Sequence, residues 1–237
     1  MSTLESGEAT IARTTARLDE RPGDDAAHAE RAGALLDLGR LEEAEADAMD
    51  AVRLDPDEVR YRELLAEIQS RRGEHADAAA EYAALARHDP RQIAWTLAEA
   101  SERIDAADAA QGVEAARRAI RLDHSNPDAQ LALARGLIRL GDAAGALPAA
   151  QRGVELRPAD PAARETFADA LWLGGRDAPA FHLFIELAGE LTGPGQTRVV
   201  AKARAIYRQR AGWLGRLVAS VPSLFAFALR HGWARVT

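Results

Sequence analysis

An all-α solenoid of helix-turn-helix units is the fold class this sequence predicts, on three observations. Pro22, Pro56, Pro90, His124 and Pro158 stand 34 residues apart, and Gly39, Gly73, Ala107, Gly141 and Gly175 recur at the same interval. With position 1 of the unit at Asp25, Val59, Ile93, Pro127 and Pro161, position 8 is Ala32, Ala66, Ala100, Ala134 and Ala168. The chain is 47% hydrophobic but only 5% aromatic. Alanine supplies much of that apolar share, which suits closely packed helices and neither strands nor a large cofactor cavity. A period in this range builds arrays whose units touch only their neighbours, and such arrays usually serve as binding surfaces.

Each element follows from the register. Residues 1–24 form an N-terminal segment in which residues 9–22 read as the second helix of a degenerate unit. Five units follow at 25–58, 59–92, 93–126, 127–160 and 161–188. In each, helix A runs from position 1 to position 15, where a left-handed residue ends it and starts a turn. Helix B carries a small residue at position 20, namely Ala44, Ala78, Gly112, Ala146 and Ala180. Small residues at positions 8 and 20 let two antiparallel helices approach closely. The proline at position 32 stops helix B. Larger residues fill the space around this seam: Leu35, Leu137 and Leu171 at position 11, Leu65, Leu133 and Phe167 at position 7, Tyr82 and Phe184 at position 24. Arg31 and Glu99 depart from this at position 7, as do Gln69 and Arg103 at position 11. The third unit, with Ala107 and Gly112, reads as the weakest. Glycine within its helix B would cost about 0.5–1 kcal/mol relative to alanine, so a soft point is expected there.

These residues resemble the tetratricopeptide repeat family, whose pattern has a small residue at position 8, glycine near 15, alanine at 20 and 27 and proline at 32. Gly39-Arg40-Leu41-Glu42-Glu43-Ala44 and Ala51-Val52-Arg53-Leu54-Asp55-Pro56 match it closely, and the resemblance covers residues 25–188. It implies a right-handed α-solenoid with C-terminal capping helices, acting as a non-catalytic scaffold or adaptor. The helix-A groove of such proteins holds an extended or helical protein segment. Carried over by position, the groove residues are Arg60, Glu63, Leu64, Glu67 and Arg71, then Leu97 and Ser101, then Leu131, Arg135, Ile138 and Arg139, then Trp172. Trp172 could equally pack against the C-terminal cap, and Arg135 and Arg139 could form a solvated, ion-paired face. Some relatives clamp a C-terminal carboxylate with lysine and asparagine at positions 5 and 9. Here those places hold Ala29 and Gly33, then Glu63 and Glu67, so a chaperone-tail role is not expected.

Charge divides the chain. Residues 1–194 hold all 37 acidic residues and 22 of the 30 basic ones, a net −15, whereas residues 195–237 hold eight basic residues and no acid. Thr192-Gly193-Pro194-Gly195 reads as a turn, and Gln196 to Arg210 as a basic helix that could cap the array. Beyond it the sequence is apolar. The segment 189–237 therefore offers Arg204, Arg208, Trp213, Arg216, Leu217, Leu224, Phe225, Phe227, Arg230 and Trp233 as docking residues. They could fold back on the repeats, lie on a membrane surface, span a bilayer, or dock on another protein, including a second copy of this chain. An accessory subunit attached to a membrane by this tail is the alternative function. A regulatory module of an enzyme encoded elsewhere is a third.

Several function classes are not expected. The chain has no cysteine, which excludes disulfides and thiolate chemistry. Its six histidines, at 28, 75, 88, 124, 182 and 231, fall at scattered repeat positions, so no metal site is expected. No phosphate-binding glycine loop or nucleophile elbow occurs, and neither catalytic residues nor a cofactor is expected. The acidic body argues against nucleic acid. The polar N-terminus carries no secretion signal, which makes a cytoplasmic location the expectation.

Overall fold

The computed structural model describes residues 3–210 and Ser220, with side chains from Ser6 onward. Twelve α-helices and no strands occur among the described residues. After α1 (Thr3–Glu20) come α2 (Asp25–Asp37), α3 (Leu41–Leu54), α4 (Val59–Arg72), α5 (His75–His88), α6 (Ile93–Asp105) and α7 (Ala109–Leu122). Then follow α8 (Pro127–Arg139), α9 (Ala143–Leu156), α10 (Pro161–Leu173), α11 (Asp177–Glu190) and α12 (Gly193–Arg210). From α2 to α11 the even and odd series each start at 34-residue intervals. The chain divides into two compact units at Asp123/His124.

The turns inside the hairpins show why the register holds. Gly39, Gly73, Ala107, Gly141 and Gly175 all take left-handed backbone, with φ between 62° and 79°. The next residue then donates its backbone N–H five residues back: Arg40 to Leu35, Glu74 to Gln69, Asp108 to Arg103, Asp142 to Leu137 and Arg176 to Leu171, at 2.9–3.0 Å. This bond satisfies carbonyls that the end of a helix would otherwise leave without partners. Ala107 makes the same turn at φ 62°, in a region that crowds Cβ against the following carbonyl.

Between hairpins, the residue before the break is extended: Asp55, Asp89, Asp123 and Arg157 have φ from −130° to −147°. Proline enforces this at three of the four breaks by crowding the preceding residue. His124 shows that the fourth forms without it. Three of the four following helices are capped by side chains, where Glu58 accepts from Arg60 N–H, Asn126 from Ala129 N–H and Asp160 from Ala162 N–H, with Pro127 and Pro161 opening the first turn of the last two.

In the first unit, α2, α4 and α6 pair with α3, α5 and α7, α1 packs on α2, and α2 also touches α4. Ala32, Ala44, Ala66, Ala78 and Ala100 have no exposed surface, and Leu35, Leu36, Leu65 and Ile68 form one core with Ala32, Ala44 and Ala48. The departures from the pattern are accommodated by ion pairs. Arg31 donates to Asp47 at 2.6 and 2.7 Å, while His28 meets Asp47 at 2.9 Å and the Pro22 carbonyl at 3.2 Å. Glu99, 3% exposed, accepts from Arg103 at 3.1 Å and from Arg118. Gln69 is buried with its Oε1 lacking a partner. Gly112, expected to weaken helix B of the third hairpin, has a packing role. A Cβ there would stand 2.6 Å from Ile104 Cγ1 and 3.0 Å from the Ala100 carbonyl oxygen, so glycine is what lets α7 seat on α6.

In the second unit, α8 pairs with α9 and α10 with α11; α10 touches α8, and α12 packs on α11. Ala168, Leu171, Ala180, Phe181, Phe184 and Leu187 form one core with Val199, Ala203, Ile206 and Tyr207 of α12. Val199, Ala203 and Ile206 are fully buried, so α12 closes the end of this unit with an apolar face.

Candidate functional site: the helix-A faces and the cleft at α8, α10 and α12

The expected groove residues lie on α4, α6, α8 and α10 and differ in what they offer. On α4, Arg60 is exposed and paired with Glu58 at 3.1 Å, and Glu67 accepts from Arg71 at 2.6 Å. Leu64 is half-buried against the core of the first unit. Glu63 accepts at 2.5 Å from the indole N–H of Trp95 on α6, an inter-helix contact the register did not suggest. Leu97 and Ser101 are half-buried on α6. On α8, Arg135 and Arg139 are exposed and Ile138 is half-buried.

One expected groove residue is corrected, and a second has a packing partner in the core. Leu131 is 8% exposed, in the core, because Gly153 of α9 leaves room for it: a Cβ on Gly153 would stand 2.5 Å from Leu131 Cδ2. Trp172 packs edge-on against Phe184, ring centroids 6.4 Å apart, as part of the apolar cluster that α12 joins. Arg204 and Arg208 lie on α12, the latter exposed. Trp213, Arg216, Leu217, Leu224, Phe225, Phe227, Arg230 and Trp233 lie outside the described residues. Among the described residues no helix is long and apolar enough to cross a membrane.

The second unit holds a cleft of about 480 Å³ whose lining includes Arg135, Ile138 and Arg139 of α8, Glu165 and Asp169 of α10, and Arg198 and Lys202 of α12. Glu165 and Asp169 stand one helical turn apart, as do Arg198 and Lys202, so the two helices face each other with matched charges. Arg198 donates from Nε and Nη2 to the two Glu165 oxygens at 2.8 and 2.7 Å. Lys202 donates to Glu165 at 2.8 Å and to Asp169 at 2.6 Å, and its ammonium stands 5.5 Å from the centroid of the Phe184 ring. Burial pushes the Glu165 carboxyl up, but the hydrogen bonds from Arg198 and Lys202 outweigh it and hold the group below the ordinary range. Asp169 is raised, because burial outweighs its bond from Lys202.

Arg198 and Lys202 were read in the sequence as part of a basic tail. Together with Arg210, which pairs with Asp177, they are instead bound to carboxylates of the repeats. The signal was present in the spacing: Glu165 to Arg198 and Asp169 to Lys202 are both 33 residues, about one repeat.

No protein-family model and no curated protein matches the chain in sequence. Solved structures do resemble it. A tetratricopeptide repeat protein from Parabacteroides merdae aligns with TM-score 0.70 at 14% identity, covering 94% of this chain and 97% of that one. Yeast Tom70 aligns with TM-score 0.58 at 17% identity over 92% of this chain, which spans 46% of Tom70. YrrB, described as a tetratricopeptide repeat protein with an unusual peptide-binding site, aligns with TM-score 0.57 at 15% identity, covering 74% of this chain and 91% of YrrB. The chain therefore has the tetratricopeptide-repeat fold, an all-α solenoid of helical hairpins.

Proposed function

We propose that this chain is a non-catalytic interaction scaffold that holds a segment of a partner protein against its helix-A faces. The observation that carries the reading is the cleft at α8, α10 and α12, where Arg135, Ile138 and Arg139 line a concavity at the groove positions of the repeat. Mixed apolar and charged side chains around an open cleft suit recognition of a peptide more than they suit chemistry. The printed description of YrrB as peptide-binding adds support from a protein of like fold.

Site-specific photo-crosslinking tests this. A photoreactive phenylalanine at Ser101 or Ile138 is expected to capture the partner, and one at Met49, 55% exposed on helix B of the first hairpin, is not. Capture from Met49 alone would overturn the reading. The alternative, attachment of an accessory subunit to a membrane through the tail, is tested by ending the chain after Arg210. An earlier cut would strip Val199, Ala203 and Ile206 from the core and confound the result. Loss of the partner on that truncation, with no crosslinks from Ser101 or Ile138, would favour the tail.

A further inference from the structure

We propose that a cleft of the first unit, formed by α5, α6 and α7, binds a phosphate monoester carried on a small apolar stem. The inference goes beyond the scaffold reading and does not rest on it. The cleft has a volume of about 260 Å³, and its lining includes Arg87 of α5, Thr96 of α6, and Arg118 and Arg121 of α7. Ala86, Pro90 and Leu122 supply apolar wall, the last 47% exposed. No carboxylate lines it, although residues 1–123 around it hold 28 acidic residues against 16 basic ones, a net −12.

The repeat explains why cations here lack acidic partners. Positions 26 and 29 of the unit stand about one turn apart on helix B and can pair. They do so in the first hairpin, where Arg53 meets Asp50 at 2.8 Å, and in the fourth, where Arg152 meets Glu155 at 3.0 Å. In the second and third hairpins position 29 is again arginine, Arg87 and Arg121, but position 26 is Ala84 and Arg118. Neither Arg87 nor Arg121 has an ion pair among the described residues. Arg87 gives its Nε to the Ala83 carbonyl at 3.2 Å, which leaves both Nη groups available. Arg118 donates from Nη2 to Glu99, a carboxylate 3% exposed. With Arg118 held by Glu99, the lining keeps two uncompensated positive charges.

That balance selects the ligand. A phosphate monoester carries a charge of about −1.5 to −2 at pH 7 and three strong acceptor oxygens, so it matches two guanidiniums. A carboxylate, with one charge and two oxygens, leaves one arginine without a counter-charge. Thr96, 4% exposed, adds a hydroxyl that makes no hydrogen bond among the described residues. The apolar wall at Ala86 and Leu122 suits the stem that bears the phosphate. The volume falls below the range of about 300–1,000 Å³ typical of pockets for larger ligands, so one small group fits. A long polyanion is disfavoured, because the net −12 of the surrounding unit would repel whatever extended past the cleft.

The test titrates the full chain with phenyl phosphate by isothermal calorimetry. Phenylacetate, which has the same ring and a singly charged carboxylate, is the control. Phenyl phosphate is expected to bind more tightly than phenylacetate, and its Kd to rise about tenfold or more in Arg87→Gln/Arg121→Gln. Arg53→Gln, in the same row but paired with Asp50, should leave the Kd unchanged. Affinity should also fall between about pH 7.5 and about pH 5.5, as the phosphate takes up a proton near pH 6. Arg87 and Arg121 are exposed, and unchanged helical circular dichroism would show that the variants fold; either single variant suffices if the pair does not. Absent binding of phenyl phosphate, equal affinity for phenylacetate, or equal affinity in the glutamine variants would overturn the inference. A terminally blocked peptide bearing one phosphotyrosine separates two sources of the same chemistry. Binding tighter than that of phenyl phosphate, and weakened by the glutamine pair, assigns the site to a phosphorylated protein segment; equal or weaker binding assigns it to a free small molecule.

Discussion

Replacing Ala107 with glycine should stabilise the protein, although it removes a methyl group and adds none. Of the five hairpin turns, four place glycine at φ 72–79° and one places alanine at φ 62°. Holding an L-residue there costs about 1–2 kcal/mol. Against this, glycine loses more backbone entropy on folding than alanine, about 0.4–1 kcal/mol. The difference leaves a gain of about 0.5–1 kcal/mol. For a chain of this size that raises Tm by about 1–4 °C, and urea unfolding should show a higher midpoint at unchanged slope. The reciprocal substitution, Gly141→Ala, should lose a similar amount, because φ is 76° and no atom lies within 4 Å of where its Cβ would be. Only the backbone conformation changes there. Since arrays open locally, hydrogen exchange should slow most in α6 and α7 of Ala107→Gly. If Ala107→Gly moves neither the midpoint nor that exchange while Gly141→Ala costs what is expected, the left-handed backbone at residue 107 carries no strain.

Three further outcomes follow from named contacts. Gly112→Ala should destabilise by about 1–3 kcal/mol, measured by urea unfolding, because its Cβ would press on Ile104 and the Ala100 carbonyl. Gln69→Leu should gain about 1 kcal/mol in the same assay by removing a buried oxygen that has no partner. Glu165 should make stability depend on acid. Its folded pKa lies below the unfolded value of 4.5, so its contribution is complete above 4.5 and lost as pH falls through the folded value. Asp169, raised, has the opposite sign and moderates the loss. Thermal unfolding of Glu165→Gln should therefore fall below that of the unaltered chain at pH 7 and converge on it toward pH 3; parallel curves would refute the assignment.

The parts of this molecule that repeat were legible, and the parts that do not repeat were hidden. Position 8 is alanine in every hairpin and position 15 is left-handed in every turn, so a periodic sequence reports them directly. The partners of Arg31 and Glu99 obey no period. Asp47 and Arg118 were individually unremarkable charges, and only the fold shows that buried Asp47 pairs with Arg31 and that Arg118 pairs with buried Glu99. Propensity alone marks Gly112 as a cost to its helix, and only the fold shows that Ile104 and the Ala100 carbonyl leave no room for a Cβ there. Leu131 fell at a groove position by arithmetic, but Gly153 leaves room for it to pack in the core. The charge contrast between body and tail misled in a similar way. In α12 the cations Arg198, Lys202 and Arg210 are neutralised by the repeats themselves.

The seam of methyl groups at positions 8 and 20 has a consequence for how such a protein can be altered. Each hairpin is specified by a few small residues and one backbone twist, and these sit away from the outward-facing side chains of helix A. A seam built from alanine and glycine asks only that neighbours stay small, without matching one large shape to another. It also makes the chain a writable surface. Exposed side chains of helix A can be exchanged without reopening the core beneath them.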